Sequence, residues 1–257
     1  GKVTFRHAQY KDYKATRGPT PEDLRPQFPI LKDVLKALRI QIYEMDGYEA
    51  DDLLGALSAK AEQAGIQSVI VTGDRDALQL VSPLTRVRLT KKGISELDEY
   101  DEGKVWDRYG ITPRQYTDFK GMTGDPSDNI KGIPGIGEKT ASRLLKEYGN
   151  LEKILAAADE LTGRTGERVK TFREQAELSK KLVTIKREVP LEIDLERCSW
   201  EGPDYKELLE IFKKLEFKTL IKSIYQDNRS GGGEKKQQDG RGRGKKTARE
   251  ALAGPDL

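Results

Sequence analysis

Ser68-Val-Ile-Val-Thr72, followed at once by Gly73-Asp-Arg-Asp76, is the stretch of sequence that decides the fold. A continuous run of apolar, β-branched residues is typical of a strand in a parallel sheet that is covered on both faces. The residues before it predict a helix from Glu49 to Gln63, with leucines on one face. Alternating apolar residues predict further strands at 39–44 and 86–90. This β-α-β-α-β order predicts an α/β fold with a parallel sheet.

The rest of the chain divides into a polar first segment, a helical domain and a basic tail. Residues 1–38 are basic and aromatic, end in a helix, and join the sheet in a first predicted domain, 1–100. From residue 101 the strand signals stop and apolar residues recur at helical spacing, which predicts an all-α domain over 101–225. Residues 226–257 offer almost nothing to bury, so a disordered basic linker is predicted there.

Composition restricts the chemistry that this chain can perform. Among its 257 residues are one Cys and one His, which argues against a disulfide framework, a Cys-rich zinc site and a Ser-His-Asp triad. No run of 18 apolar residues is present, so no transmembrane helix is predicted. The net charge of +3 is that of the tail 226–257, whose eight basic and five acidic residues leave a neutral body. The chemistry is therefore expected from carboxylates, Lys, Arg and oxygen-bound metal ions.

Three acidic clusters stand out in the sequence: Glu49-Ala-Asp-Asp52, Asp74-Arg-Asp76 and Asp125-Pro-Ser-Asp128. The first two follow predicted strands that one helix connects, so those strands are expected to be parallel, with both clusters at the same sheet edge. Two like charges about 4 Å apart repel by about 4 kcal/mol at an effective dielectric constant near 20. A hard divalent cation with oxygen ligands, such as Mg²⁺, would relieve that repulsion.

Each cluster alone also has a simpler interpretation. Acids in a first helical turn cap free N–H groups and favour the helix dipole. Asp74 also suits an ordinary turn, and Asp125 and Asp128 suit a turn with a helix cap. The simpler interpretation weakens for the first two clusters because they share one predicted edge.

A glycine-rich stretch, Ile130-Lys-Gly-Ile-Pro-Gly-Ile-Gly-Glu-Lys-Thr-Ala141, precedes an amphipathic helix. Gly135 and Gly137 at the helix start let backbone N–H groups approach a phosphate closely. Lys139 and Arg143 add positive charge. A tight turn between two helices is the alternative, and no strand leads into the stretch as a dinucleotide fingerprint requires. With Pro134, the pattern is that of a helix-hairpin-helix, which holds a DNA backbone without reading bases.

Taken in order, these motifs resemble the 5′-nuclease (flap endonuclease) superfamily over about residues 5–225, and most closely the 5′→3′ exonuclease domains of bacterial DNA polymerases I. The resemblance implies a PIN-like (Rossmann-like) parallel sheet, a helical arch within 1–38, and a helix-three-turn-helix (helix-hairpin-helix) domain. It also implies that the chain is a fragment that lacks the first strand and two carboxylates of the family. Lys120-Gly-Met-Thr123 departs from the more apolar residues usual at that place.

The resemblance also assigns roles to residues. It implies two Mg²⁺ or Mn²⁺ ions, the first near Glu49, Asp51 and Asp52, and the second near Asp74 and Asp76. Asp125 is implied as a further ligand and Asp128 as a supporting acid that acts through water. Lys14 and Arg17 of the arch are implied to contact the scissile phosphate as catalytic residues. The implied DNA contacts, together with a K⁺ ion at the hairpin, are made by Arg6, Tyr13, Gly132, Gly135, Gly137, Lys139, Thr140 and Arg143.

The implied function is metal-dependent hydrolysis of phosphodiester bonds in nicked or flapped duplex DNA, during primer removal and repair. The fragment itself is expected to be impaired. A non-catalytic DNA-binding fragment and a PIN-type ribonuclease are the alternatives, and the duplex-binding hairpin argues against the second. The expected partners are branched DNA and a polymerase portion of the same parent chain, with a monomer as the expected state. With no secretion signal in sight, the expected location is the bacterial cytoplasm, at the nucleoid.

Overall fold

The computed structural model describes residues 3–91 and 96–230, with side chains as far as residue 224. The chain divides into two compact units, Gly1–Gly202 and Pro203–Leu257. The predicted division near residue 100 falls inside the first unit and stays a prediction.

Helices dominate the described part of the chain. The α-helices of the first unit are α1 (Phe5–Gln9), α2 (Gln27–Ala37), α3 (Ala50–Gln63), α4 (Glu102–Tyr109), α5 (Tyr116–Thr123), α6 (Glu138–Tyr148), α7 (Leu151–Ala156), α8 (Gly163–Thr171) and α9 (Arg173–Val183). Short 3₁₀ helices cover Glu22–Leu24, Arg75–Leu80, Pro113–Gln115, Pro126–Asp128, Ala157–Asp159 and Glu196–Cys198. The strands are β1 (Ser68–Thr72), β2 (Thr85–Thr90), β3 (Leu97–Tyr100), β4 (Gly124–Asp125) and β5 (Ile130–Lys131).

The main sheet has the strand order β1-β2-β3. β1 and β2 are parallel, with Ser68 opposite Thr85, as the predicted α/β order requires, but the parallel pair argued for 39–44 and 68–72 is not found. β3 runs antiparallel to β2, with Val87 opposite Tyr100. The sequence did not predict β3, and the sheet is mixed rather than all parallel. The second helix of the predicted β-α-β-α-β order, between β1 and β2, is the 3₁₀ helix Arg75–Leu80.

The strand predicted at 39–44 is not found. These residues follow a turn at Arg39, whose φ is +56°, and their backbone pairs with no strand in the described chain. Alternating apolar residues indicate extended backbone, but a strand also needs a partner for its N–H and C=O groups. Ile40 is 45% exposed, which shows that the alternation here faces solvent.

The prediction that β1 is covered on both faces is also wrong. Ile70 is buried, but Val69 and Val71 on the opposite face are exposed in the described structure. The apolar run therefore identifies the strand correctly without fixing how many faces are covered.

Close packing of α5 on α9 organises the helical part of the first unit. A Cβ added at Gly121 would lie 3.0 Å from the Cβ of Lys180 and 3.1 Å from the carbonyl oxygen of Ala176. Because Gly121 has no side chain, the two helices can approach each other closely here, and a larger residue would not fit. Capping residues define the two ends of α4. At its start the Asp101 carboxylate accepts from the N–H of Lys104, and at its end Gly110 adopts a φ of +66°.

The second unit contains α10 (Tyr205–Lys214) and α11 (Lys218–Ser230). Leu208 and Phe212 are buried on α10, and the Phe212 ring contacts that of Phe217 at a centroid distance of 5.8 Å. The predicted disordered linker begins at 226, whereas α11 continues to Ser230; residues 231–257 of that linker lie outside the described residues. In the described ranges, no helix combines the length and apolar character that a bilayer crossing requires.

Candidate active site and nucleic-acid interface

Acidic side chains from three separate segments line one small pocket of the first unit, here called the acid pocket. Its carboxylates are those of Glu49, Asp51, Asp74, Asp76 and Asp128. Asp51 lies in the first turn of α3, and Glu49 directly precedes that helix. Asp74 and Asp76 follow the carboxyl end of β1, and Asp128 follows β4. The free volume among them is about 10 Å³, close to what one water molecule needs.

Two of these carboxyl groups, those of Asp51 and Asp76, have pKa values above the usual range. Burial, together with the carboxylates of Asp74 and Glu49, raises the pKa of Asp51 to about 6. Burial also raises the pKa of Asp76 to about 7, although Lys120 acts in the opposite direction. Because a nearby cation favours the charged form of a carboxyl group, both groups would be stabilised by more positive charge.

Stability is therefore expected to fall as the pH rises from about 5 to 7.5 in metal-free buffer. The folded chain holds the Asp51 and Asp76 protons up to its folded-state pKa values while the unfolded chain has already released them, so the free energy of unfolding drops by up to about 4 kcal/mol. Above the folded-state pKa values the loss stops. Urea unfolding across this pH range measures the effect. The Asp76→Asn variant lacks one of the two titrations and should show a flatter dependence; an unchanged slope would contradict the assignment.

Lys14 and Arg17, predicted to contact a phosphate, reach the acid pocket. The Lys14 N–H donates to the Asp128 carbonyl oxygen at 2.9 Å, which fixes this residue beside the acids. The Nζ of Lys14 lies 2.7 Å from Oε1 of Glu49 and 3.5 Å from Oδ2 of Asp128. Arg17 pairs with Asp128 while half of its side chain stays exposed. Both cations neutralise acids in this structure.

Asp125 does not line the acid pocket, because both of its carboxylate oxygens are turned to other partners. Its Oδ1 accepts from the N–H and the Oγ of Ser127, at 2.9 and 2.6 Å. Its Oδ2 accepts from Nζ of Lys120 at 2.6 Å, and that nitrogen is also 3.1 Å from Oδ1 of Asp76. Sequence analysis noted Lys120 only as a departure from the family pattern. Its position in the last turn of α5, five residues before Asp125, was the feature of the sequence that could have identified it as a partner of that acid.

Asp52 and Arg6 form a buried pair and do not fit their predicted roles in metal and DNA binding. Asp52 is 0% exposed and Arg6 is 2% exposed. Two guanidinium N–H groups donate to the carboxylate at 2.7 and 2.8 Å, and the others donate to the carbonyl oxygens of Leu182 and Thr184. Burial opposes ionisation of Asp52, but the hydrogen bonds from Arg6 hold its pKa below the usual value. The pair ties α1 to α3 and to the end of α9.

Tyr13 does not fit the predicted DNA contact either. Its side chain is 3% exposed, and its hydroxyl donates to Oε2 of Glu49 at 3.0 Å and is 3.1 Å from Oδ2 of Asp128. Burial, together with the two carboxylates, raises its pKa well above the ordinary value. Tyr13 therefore stays protonated and holds two acids of the pocket in place.

Divalent metal ions suit the acid pocket chemically but not in the arrangement shown. Within residues 3–91 and 96–230, no three His, Cys, Asp or Glu side chains converge closely enough to hold an ion. Carboxylate oxygens are the ligands that Mg²⁺ and Mn²⁺ prefer. Apart from its contact with the Lys120 ammonium group at 3.1 Å, the buried Oδ1 of Asp76 has no polar partner in the described chain. In the arrangement shown, Lys14 contacts Glu49, and Lys120 contacts Asp76.

The glycine-rich stretch folds into a hairpin of 130–137 that leads into α6. Gly132 packs against β4, where an added Cβ would lie 2.3 Å from the Gly124 nitrogen, so its role is close packing. Gly135 has a φ of +77°, and its carbonyl oxygen accepts from Arg168 at 3.1 Å. Gly137 is open: an added Cβ would meet no atom within 4 Å. Gly135 and Gly137 are both exposed, whereas Gly132 is only partly so.

Basic side chains continue this exposed rim. Lys139 and Arg143 of α6 line a cavity of about 530 Å³ together with Arg108 and Lys146, which sequence analysis did not name. Thr140 is half-buried beside them. Positive charge along a helix that starts at an exposed glycine turn suits a phosphate backbone.

A second cavity, of about 320 Å³, lies beside Lys120 and the start of α6. Its lining includes Arg75, Lys120 and Gly137. Lys120 therefore faces both the acids and the start of α6.

Two family models match the chain in tandem. The first is described as the 5′-3′ exonuclease N-terminal resolvase-like domain and matches residues 1–110. The second is described as the 5′-3′ exonuclease C-terminal SAM fold and matches residues 111–206. Together they account for most of the chain.

Curated relatives and solved structures agree with these matches. DNA polymerase I of Bacillus caldotenax is 45% identical over 225 residues, which are 87% of this chain and 26% of that polymerase. DNA polymerase I of Bacillus subtilis is 41% identical over 229 residues, with shares of 89% and 26%. A zinc-bound T5 5′-exonuclease has a similar fold, with a TM-score of 0.62 at 21% identity over 83% of this chain and 80% of that one. The catalytic core of Rad2, solved with a DNA substrate, gives 0.55 at 16% identity, with shares of 83% and 72%.

Proposed function

The chain belongs to the 5′-3′ exonuclease family, and from this membership we propose that it hydrolyses phosphodiester bonds in flapped or nicked duplex DNA with the help of two divalent ions. One observation carries the proposal: carboxylates from three distant segments line a single pocket. The chain spans about a quarter of the length of the polymerases it matches.

The residues that would hold Mg²⁺ or Mn²⁺ fall into two groups. Glu49 and Asp51 would hold the first ion, and Asp74 and Asp76 the second, with Asp125 as a further ligand. Asp128, which Tyr13 positions, would act on either ion through water. When bound, such ions activate a water molecule and stabilise the leaving oxygen.

Lys14 and Arg17 would bind and orient the scissile phosphate. Both stand at the acid pocket, and Arg17 keeps half of its side chain exposed, so a phosphate can reach it from solvent. Their pairing with Glu49 and Asp128 keeps the two cations at the reaction site before the substrate arrives. The positive charge they bring offsets charge that develops on the phosphate.

The hairpin and α6 would bind the duplex through its phosphates rather than its bases. The exposed glycines 135 and 137 and the neighbouring cations of α6 support this role. A K⁺ ion at the hairpin would be held by backbone carbonyl groups of this turn. We further propose that the domain works as a monomer beside a polymerase portion of a longer chain, in the bacterial cytoplasm and at the nucleoid.

Cleavage of a 5′-flap substrate tests the proposal. A duplex with a labelled 5′ flap is incubated with the protein in Mn²⁺, in Mg²⁺ and in EDTA. The expected result is a slow but metal-dependent release of the flap near the junction, in keeping with the impaired activity expected for this chain. Binding without cleavage in either metal would favour a non-catalytic DNA-binding role, and preferred cleavage of single-stranded RNA would favour a ribonuclease.

The Gly137→Glu variant is expected to bind nicked duplex DNA about tenfold more weakly, because a carboxylate would then face the phosphates at the start of α6. The variant should fold normally, since no atom lies within 4 Å of the added Cβ and the φ of −95° suits any residue. Fluorescence anisotropy at fixed salt concentration measures the affinity. Gly137→Ala is the matched control and should bind nearly as well as the parent chain; equal affinity for all three proteins would remove the hairpin from the DNA interface.

A further inference from the structure

We infer that Lys120 is an internal counter-ion of the acid pocket, which pairs Asp76 with Asp125 until a divalent cation takes its place. The inference rests on the proposed function, because it assumes that such a cation binds. It adds a positioning role for a residue to which neither the sequence motifs nor the family resemblance assigns one.

The geometry is that of a bridge between two acids. Lys120 Nζ lies 2.6 Å from Oδ2 of Asp125 and 3.1 Å from Oδ1 of Asp76. The Lys120 side chain is 15% exposed and the two carboxylates are similarly buried. Outside this contact, the oxygens of Asp125 bind only Ser127, and Oδ1 of Asp76 accepts no hydrogen bond in the described chain. The ammonium group therefore occupies the position at which the two carboxylates could share an ion.

The backbone of Lys120 cannot follow its side chain away from the acids. The next residue, Gly121, is packed so closely on α9 that even a Cβ would come within about 3 Å of Lys180 and Ala176. A change of partner must therefore occur through the side chain alone. The 320 Å³ cavity that Lys120 lines with Arg75 and Gly137 offers space for that movement.

The difference in charge favours replacement of the Lys120 ammonium group by a divalent ion rather than by a monovalent one. A monovalent ammonium group satisfies the two acids only in part, whereas a divalent ion places twice the charge at the same distance. The contact with Lys120 must be lost before the ion gains its own ligands, so Lys120 lowers the apparent affinity of this position for metal. In return, it stabilises the metal-free fold by keeping two buried carboxylates paired.

Lys14 differs from Lys120 in this respect. It lies in a short segment after α1 with a φ of +57°, and not on a packed helix. Its contacts are with Glu49 and Asp128, and the proposed function already assigns it to the scissile phosphate, whereas Lys120 contacts Asp76 and Asp125 and has no such role. We therefore assign the counter-ion role to Lys120 alone.

Mn²⁺ titration and thermal unfolding of the Lys120→Met variant test the inference. The variant is expected to bind Mn²⁺ about tenfold more tightly at one site by isothermal titration calorimetry, because the competing charge is gone. Its melting temperature should be lower than that of the parent chain in EDTA, and saturating Mn²⁺ should remove most of this difference. Lys120→Gln, which keeps a hydrogen-bond donor without the charge, should behave in the same way and serves if the Met variant does not fold.

Lys180→Met is the matched control. Lys180 also bridges two carboxylates, those of Asp118 and Glu152, each at 2.6 Å, but away from the acid pocket. This variant should lose stability equally with and without Mn²⁺ and bind the ion like the parent chain.

The outcomes separate this inference from the proposed function. If Lys120→Met and Lys120→Gln bind Mn²⁺ no more tightly than the parent chain, and lose stability equally with and without the metal, Lys120 is an ordinary structural ion pair and the inference is wrong. The proposed function survives that result as long as the parent chain binds Mn²⁺ and Asp74→Asn weakens the binding. If neither the parent chain nor the variants bind Mn²⁺, both claims fail.

Discussion

The Asp74→Asn variant is expected to cleave the 5′-flap substrate at least about 100-fold more slowly than the parent chain, since even residues that only orient a metal ligand are worth about 10–100-fold. The amide side chain is nearly the same size and keeps an oxygen that can accept from the Asp76 N–H, as Oδ1 of Asp74 does at 2.9 Å. The fold should therefore be retained while the negative charge at the end of β1 is lost. Single-turnover cleavage in Mn²⁺ measures the rate.

Asp101→Asn provides the control for this experiment. Asp101 is also an aspartate that caps a helix, with Oδ1 accepting from the Lys104 N–H at 2.8 Å, but it lies outside the acid pocket. This variant should cleave at the rate of the parent chain. Equal rates for Asp74→Asn and the parent chain would show that Asp74 holds no catalytic ion.

The Asp52→Asn variant is expected to lose about 3–5 kcal/mol of unfolding free energy, because it removes the only counter-charge that accepts hydrogen bonds from the buried Arg6 guanidinium in the described chain. The carbonyl oxygens of Leu182 and Thr184 would remain as partners, and the nearest remaining negative charge would be Oε2 of Glu49, 3.7 Å from one guanidinium nitrogen. Urea unfolding in EDTA measures the loss independently of any metal. A loss of this size would identify Asp52 as a structural residue within a motif otherwise made of site residues.

Glu99→Gln is the comparison for a surface ion pair. Glu99 pairs with Arg86 and Arg88 at the edge of the sheet, where all three side chains are at least a third exposed. Its replacement should cost less than about 1 kcal/mol. If Asp52→Asn costs no more than this, the buried pair does not hold α1 to α3.

The sequence predicted the elements that carry strong local signals. β1, β2 and α3 were predicted from an apolar run, an alternation and a one-sided row of leucines, and all three are confirmed. The segment 39–44 carries a similar alternation but forms no strand, because strand formation depends on a hydrogen-bonding partner that residue type does not reveal.

Side-chain roles were harder to predict than elements. Glu49, Asp51 and Asp52 are nearly adjacent in one motif, yet Asp52 faces into the protein and the other two face the acid pocket. The sequence could not show that Arg6, 46 positions away, meets Asp52 inside the fold. Lys120 was missed for the same reason: its partner Asp76 comes from a distant strand end, and only the folded chain brings them together.

The two-residue strands β4 and β5 couple the position of Asp125 to that of the glycine hairpin. Asp125 lies on one strand and is paired with Ile130, at the root of the glycine hairpin, while Gly124 and Gly132 meet with no room for a side chain. The hairpin that would bind the duplex is therefore joined directly to Asp125, the residue whose carboxylate contacts Lys120. Binding of duplex DNA that moves the hairpin is therefore expected to move Asp125 as well.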